Sequence, residues 1–194
     1  FAYLHGWEPG LFLAGTTPYA IVSTFQFLAI PMFIIMGQFA RFGGIGEDVY
    51  AACDKWLSNV RGGLAMATTA SCAAFAAASG SSVATAATFT QVALPEMLKY
   101  GYDKRLAAGA IAASGTLGAL IPPSGLLVFY GIMTEQSIGR LLIAGLIPGL
   151  FSALLYIVMV SGLVRIKPHW APPARAKVVW KERFATLPGV WGIV

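Results

Sequence analysis

Two long uncharged segments of this chain are each interrupted near the middle by residues that fit poorly inside an α-helix. The first, Gly62 to Pro95, contains Ser79-Gly80-Ser81-Ser82; the second, Leu106 to Thr134, contains Ile121-Pro122-Pro123-Ser124-Gly125. The first region is roughly twice as long as one bilayer crossing requires. In hydrocarbon, backbone that leaves the helix is tolerated only where it is buried in protein or lines a cavity. Two such breaks in neighbouring segments therefore predict a substrate or ion site between them, as in transporters built from discontinuous helices.

Composition agrees with a membrane setting. Of the 194 residues only 11% are charged and 57% are hydrophobic, with mean hydropathy +0.72, against roughly 25% charged in a soluble domain. Further uncharged stretches run from Pro9 to Ala40 and from Leu141 to Val164, each able to cross about 30 Å of hydrocarbon. The formal charge of +5 does not point to nucleic acid, because the basic residues stand at the ends of apolar segments and not on one continuous face. Topogenic signalling explains them better. Cys53 and Cys72 are the only cysteines, and neither a disulfide framework nor zinc spacing follows from them. Phe1 is not an initiator methionine and no signal peptide precedes the first span, so the chain reads as a fragment.

The expected class is all-α, a polytopic membrane protein with a re-entrant helical hairpin and a broken transmembrane helix. Phe1 to Ala14 reads as the tail of an earlier span, interrupted by Gly6, Glu8 and Pro9. A full helix is expected from about Thr24 to Phe42, stopped by Arg41 and then Gly43-Gly44. From Gly46 to Asn59, the residues Val49, Tyr50, Cys53, Trp56 and Leu57 recur at helical spacing opposite Glu47, Asp48, Asp54 and Lys55. That pattern suits an amphipathic arm at the interface. Gly62 to Leu98 divides at Ser79 to Ser82 into limbs of under about twenty residues, short for vertical spans but suited to a hairpin. Lys104 to Met133 divides at Pro122-Pro123, and a long span follows from about Ile138 to Val164. Beyond it lie a basic, proline-rich loop and an apolar end, Leu187 to Val194. The expected organisation is thus a scaffold with arm over 1–60, a transport element over 61–134, a transmembrane helix over 135–166, and a basic cytoplasmic loop with the start of a further helix over 167–194.

Charge placement supports this layout. If the hairpin returns to the side from which it starts, Arg41, Lys55, Arg61, Lys99, Lys104, Arg105 and the basic tail face one compartment and only Arg140 faces the other. A single crossing would split the basic clusters, against the usual cytoplasmic excess of Lys and Arg. Two full short crossings place the charges equally well.

A series of motifs also resembles a known family. Ile30-Pro31-Met32-Phe33-Ile34-Ile35-Met36-Gly37, Arg61-Gly62-Gly63-Leu64-Ala65, Ser79-Gly80-Ser81-Ser82-Val83-Ala84-Thr85-Ala86, Pro95-Glu96-Met97, Gly115-Thr116-Leu117-Gly118, Ile121-Pro122-Pro123-Ser124 and Ala144-Gly145-Leu146-Ile147-Pro148-Gly149 occur in that order. From about Phe1 to Gly162 the order and spacing resemble the large permease (DctM) subunit of TRAP transporters. The resemblance implies an elevator-type secondary transporter of the bacterial inner membrane, driven by sodium and needing no other cofactor. Such a system is fed by a periplasmic substrate-binding protein and paired with a small DctQ-type membrane subunit. It imports organic acids such as C4-dicarboxylates or sialic acid. It also implies two inverted repeats, of which this chain resembles the first.

The residues themselves permit that chemistry. Sodium is a hard cation that takes oxygen ligands, and unwound helix supplies carbonyls beside Ser and Thr hydroxyls. The candidate shell is Ser79, Gly80, Ser81, Ser82 and Thr85 on the hairpin, with Gly115, Gly118, Pro122 and Ser124 on the broken helix. Ser81, Ser82, Gly118 and Ser124 are the candidate sodium ligands. Proline frees the carbonyl four residues earlier, and half-helices starting near Ser82 and Gly125 present N–H groups and a positive dipole end to an anion.

Plainer readings compete at each position. Small residues from Ser79 to Thr88 also let helices pack closely, although packing does not explain the Gly-Ser-Ser cluster. Pro122-Pro123 also reads as a kink, and Ser114 and Thr116 read as packing hydroxyls. Met32, Phe33 and Met36 read as lipid or core contacts, Glu96 as an interfacial charge, His5 and His169 as bystanders, and Trp170 and Trp180 as interfacial anchors. An ion channel or a proton-coupled permease using the same breaks is the alternative function, but no acidic ring or carbonyl filter is evident. An intramembrane enzyme lacks its acid, base or nucleophile cluster.

Overall fold

The computed structural model describes residues 6–22, 25–57 and 59–173. The basic tail from Arg175 on, the apolar end Leu187 to Val194, Trp180 and His5 lie outside the described residues. Among those described, all regular structure is helical.

Helix α1 covers Trp7–Val22 and α2 covers Phe25–Phe42. Glu8 and Pro9 do not interrupt α1 but begin it: a first turn has no use for the proline N–H and favours an acid near the positive dipole end. The chain leaves α2 at Gly43, whose N–H reaches Phe39 O at 2.8 Å, and turns through Gly44 into α3, Ile45–Leu57. Of the apolar stripe expected on this arm, Val49 and Tyr50 are buried, Cys53 and Leu57 are half-buried, and Trp56 is 40% exposed. The arm thus shares the core of the hairpin.

That hairpin is α4, Gly63–Ser79, followed by α5, Ser82–Lys99. Only Gly80 and Ser81 stand outside the two helices, a tighter break than the four-residue run expected. Helix α4 is apolar or small on every face, the signature of a central helix, and it packs against α2, α3 and α5 and against the helices Lys104–Gly115 and Ile138–Ile166. Its alanines let these neighbours approach, while Phe75 fills the space beside Phe89 of α5, ring centroids 5.7 Å apart and edge to face. Buried Thr68, Thr69 and Ser71 give their hydroxyl protons to carbonyls four residues back, at 2.8, 3.2 and 2.7 Å. No hydroxyl of the three is left wanting.

The second interrupted segment forms α6, Lys104–Gly115, a 3-10 turn, Thr116–Ala119, and α7, Gly125–Met133. Its α-helix ends several residues before Pro122-Pro123. Neither proline can donate to the carbonyls of Gly118 and Ala119, so the preceding turn tightens. Ser114 Oγ donates to Thr69 Oγ1 at 2.9 Å, and Thr116 Oγ1 donates to Ala113 O at 2.6 Å.

Helix α8, Ile138–Ile166, has 29 residues, is long and apolar enough to cross a membrane, and is mostly unburied. At 1.5 Å per residue it measures about 43 Å, more than a bilayer core. One side enters the core through Ala153, Val160 and Val164. Gly149 lets it close on Ile121, where an added Cβ would lie 3.3 Å from the backbone nitrogen. Ile143, Ile147, Leu150, Leu154 and Val158 form an exposed stripe on the other side.

Candidate functional site

The two breaks meet. Gly125 N–H, at the start of α7, donates to Gly80 O at 3.1 Å, joining the tip of the hairpin to the gap in the broken helix. Gly80 has φ 61°, and a Cβ there would strike the Pro123 carbonyl oxygen. Only glycine combines that left-handed backbone with that closeness. A Cβ on Gly118 would come within 2.7 Å of the Ser81 carbonyl and the Ser82 nitrogen. The contact is backbone on backbone, without any large side chain between.

Hydroxyls organise the rest. Ser81 caps α5 by accepting from Ala84 N–H at 3.3 Å, and Ser124 caps α7 by accepting from Leu127 N–H at 3.4 Å. Ser124 Oγ also donates to Ala119 O at 2.6 Å, replacing the donor that Pro123 lacks. Thr85 Oγ1 donates to Ser81 O at 2.8 Å and lies 3.0 Å from Ser79 Oγ, with both residues buried.

Around this junction lies an open cavity of about 380 Å³. Of the candidate shell, Ser79, Gly80, Ser81, Ser82 and Gly118 line it, together with Ala119 and Gly125. Ile34 of α2, Val83, Leu126 and Phe129 supply the apolar remainder. Gly115, Thr85, Pro122 and Ser124 are not part of its lining. Gly115 serves packing, with Ala86 Cβ 2.8 Å from where its own Cβ would be. Ser124 and Thr85 hold the loops in shape through the bonds above. The apolar lining carries no polar signal in the sequence, and only the meeting of three helices brings it together.

No ionisable side chain lines the cavity, and the described residues hold no cluster of three His, Cys, Asp or Glu. Its polarity comes from helix ends. The starts of α5 and α7 turn positive dipole ends toward it, and the end of α4 at Ser79 brings a negative one. Such an arrangement can hold an anion and a hard cation side by side without a charged residue.

Comparison with known proteins places these features in a wider group. The family described as tripartite ATP-independent periplasmic transporter, DctM component, matches residues 5–194. The C4-dicarboxylate TRAP transporter large permease protein DctM of Pseudomonas aeruginosa is 38% identical over 171 residues, which is 88% of this chain and 39% of that protein. Its namesake in Vibrio cholerae is 38% identical over 176 residues, 90% of this chain and 38% of that protein. The isethionate TRAP transporter permease protein DctMQ of Oleidesulfovibrio alaskensis is 35% identical over 173 residues, 86% of this chain and 27% of that protein. The chain therefore spans less than half the length of these relatives.

Proposed function

Because the chain belongs to the DctM family of tripartite ATP-independent periplasmic transporter permeases, we propose that it forms the first half of a sodium-coupled permease that imports an organic acid by an elevator motion. The observation that carries this reading is the joined pair of helix breaks beside an uncharged cavity, where Gly125 N–H meets Gly80 O. Sodium takes oxygen from the hairpin end and the 3-10 turn, with Ser81, Ser82 and Gly118 nearest and Ser124 shaping the loop. The substrate carboxylate takes the N–H groups at the starts of α5 and α7 other than those of Ala84, Gly125 and Leu127, which bond within the protein. Relatives of this chain are named for C4-dicarboxylate, isethionate, ectoine and sialic acid, and an organic acid such as a C4-dicarboxylate or sialic acid is recognised here by helix ends and hydroxyls in place of arginine.

In this proposal the hairpin is re-entrant, the protein is a multi-pass component of the bacterial inner membrane, and a periplasmic binding protein delivers the substrate. A small DctQ-like subunit completes the membrane part, separate or fused as the name DctMQ implies for one relative. Hairpin and broken helix move together past α2, where Gly37 faces the Ser79 carbonyl and an added Cβ would come within 2.8 Å of it. Uptake of a labelled organic acid into proteoliposomes by the full-length permease with its partners tests the reading. Uptake that needs an inward sodium gradient and is lost in Ser82→Ala supports it. Uptake indifferent to sodium and to both Ser82→Ala and Ser124→Ala overturns it in favour of a channel or a proton-coupled permease.

A further inference from the structure

A second cavity, of about 570 Å³, lies away from the helix breaks, between the end of α2, the start of α3 and the flank of α5. Its walls include Arg41, Glu47, Thr88 and Gln91. The Arg41 guanidinium donates to Gln91 Oε1 at 3.2 Å and stands 5.8 Å from the Phe42 ring centroid, but has no carboxylate partner among the described residues. Gln91 thereby keeps its own amide protons for a ligand. Glu47 likewise has no ion-pair partner among the described residues. Thr88 is 5% exposed, and its hydroxyl has no hydrogen-bond partner. Its neighbours Thr85 and Thr90 give their protons to carbonyls four residues back, at 2.8 and 2.7 Å. That hydroxyl is sealed inside the wall, so it does not itself reach a ligand in the cavity.

We propose that this cavity binds the headgroup of an aminophospholipid, with the phosphate on Arg41 and Gln91 and the ammonium on Glu47. A guanidinium and an unpaired carboxylate lining one cavity match a zwitterion better than a simple anion, which Glu47 would repel. The acyl chains have a path as well. Met32, Ile35, Phe39 and Phe42 follow one another at spacings of three, four and three along one side of α2, exposed by 60, 49, 74 and 81%, and the stripe ends beside Arg41. A free phosphate has no use for it. The position suits the role, because Arg41 lies in the last turn of an 18-residue apolar helix, at headgroup depth.

The test uses the full-length permease in nanodiscs of phosphatidylcholine alone, or doped with phosphatidylethanolamine or phosphatidylglycerol, with the melting temperature as readout. Phosphatidylethanolamine should raise it by several degrees more than phosphatidylglycerol. Arg41→Gln should remove that rise, and Glu47→Gln should let phosphatidylglycerol match phosphatidylethanolamine. Should Arg41→Gln not fold, Glu47→Gln and Gln91→Leu carry the test, Gln91→Leu by shrinking the rise. An unchanged preference in Glu47→Gln overturns the proposal, as does an equal rise from inorganic phosphate added in detergent. The readout is independent of transport, so the outcome stands whatever the coupling ion proves to be.

Discussion

The tip and the base of the hairpin are ends of the same two helices, yet they are held in opposite ways. At the tip, small residues bring backbone against backbone and leave hydroxyls and N–H groups facing a cavity of about 380 Å³. At the base the polar groups are taken up by partners. Arg61 donates to Pro168 O at 2.8 Å, Tyr102 Oη accepts Leu64 N–H at 3.2 Å, and Asp103 N–H reaches Trp170 O at 2.9 Å. The Lys167 ammonium lies 4.2 Å from the Trp170 ring centroid, and the space left there is about 10 Å³, too small for more than one water. Saturated contacts anchor a structure, whereas unsaturated ones leave it able to take a ligand.

If this contrast is functional, substitutions at the tip should damage transport and those at the base should damage stability. The largest effect is expected from Gly118→Val, whose side chain must push aside the Ser81 carbonyl and Ser82 nitrogen. Uptake by proteoliposomes at equal incorporation should fall about a hundredfold, the cost of misplacing a site by an ångström. Normal uptake by this variant would break the comparison at once.

Tyr102→Phe is the counterpart at the base. It strips the acceptor from the buried Leu64 N–H and should cost about 1–3 kcal/mol of stability, seen as a lower thermal midpoint. Uptake per folded molecule should stay unchanged, so a raised KM at normal midpoint would put a ligand role at the wrong end. Thr85→Val sharpens the picture at the tip by removing the bonds to Ser81 O and Ser79 Oγ with little change of shape. A loss of about 1 kcal/mol is expected, with weakened apparent sodium affinity. Thr85→Ser should restore both, because it keeps the hydroxyl.

The smallest effect concerns the arm that runs beside the hairpin. Burial pushes the Cys53 thiol above its ordinary pKa, partly offset by a hydrogen bond with Ser71. Burial disfavours the thiolate, so alkylation by iodoacetamide in a Cys72→Ala background should be slow at neutral pH. Its rate should still rise at a pH where an exposed cysteine has levelled off. A free-thiol profile would show that the arm stands off from the hairpin in solution.

Much of this architecture is legible in the residues. The helix expected from about Thr24 to Phe42 begins at Phe25, the hairpin limbs number 17 and 18 residues, and the long span begins at Ile138 as expected. Glycine, proline and clustered charge act over one or two turns, so they mark boundaries without knowledge of the partner. Two local readings differ. Glu8 and Pro9 open a helix and do not interrupt one, and the broken helix gives way at Gly115, ahead of its prolines. In both, the pattern of backbone hydrogen bonds and not the residue type sets the boundary.

The candidate shell divides in the same way. Ser79, Gly80, Ser81, Ser82 and Gly118 face the cavity, since a break in a buried helix exposes its own backbone wherever it occurs. The sequence by itself determined the membrane class, the order of the helices and the places where they break, because hydropathy and backbone propensity are local. Only the tertiary structure decided that the breaks dock through Gly80 and Gly125, that Thr85 and Ser124 spend their hydroxyls inside the loops, and that Ile34 and Phe129 close the wall. The physical reason is geometric: successive residues on a helix point about 100° apart, so which of them meets a cavity depends on the neighbour packed against it.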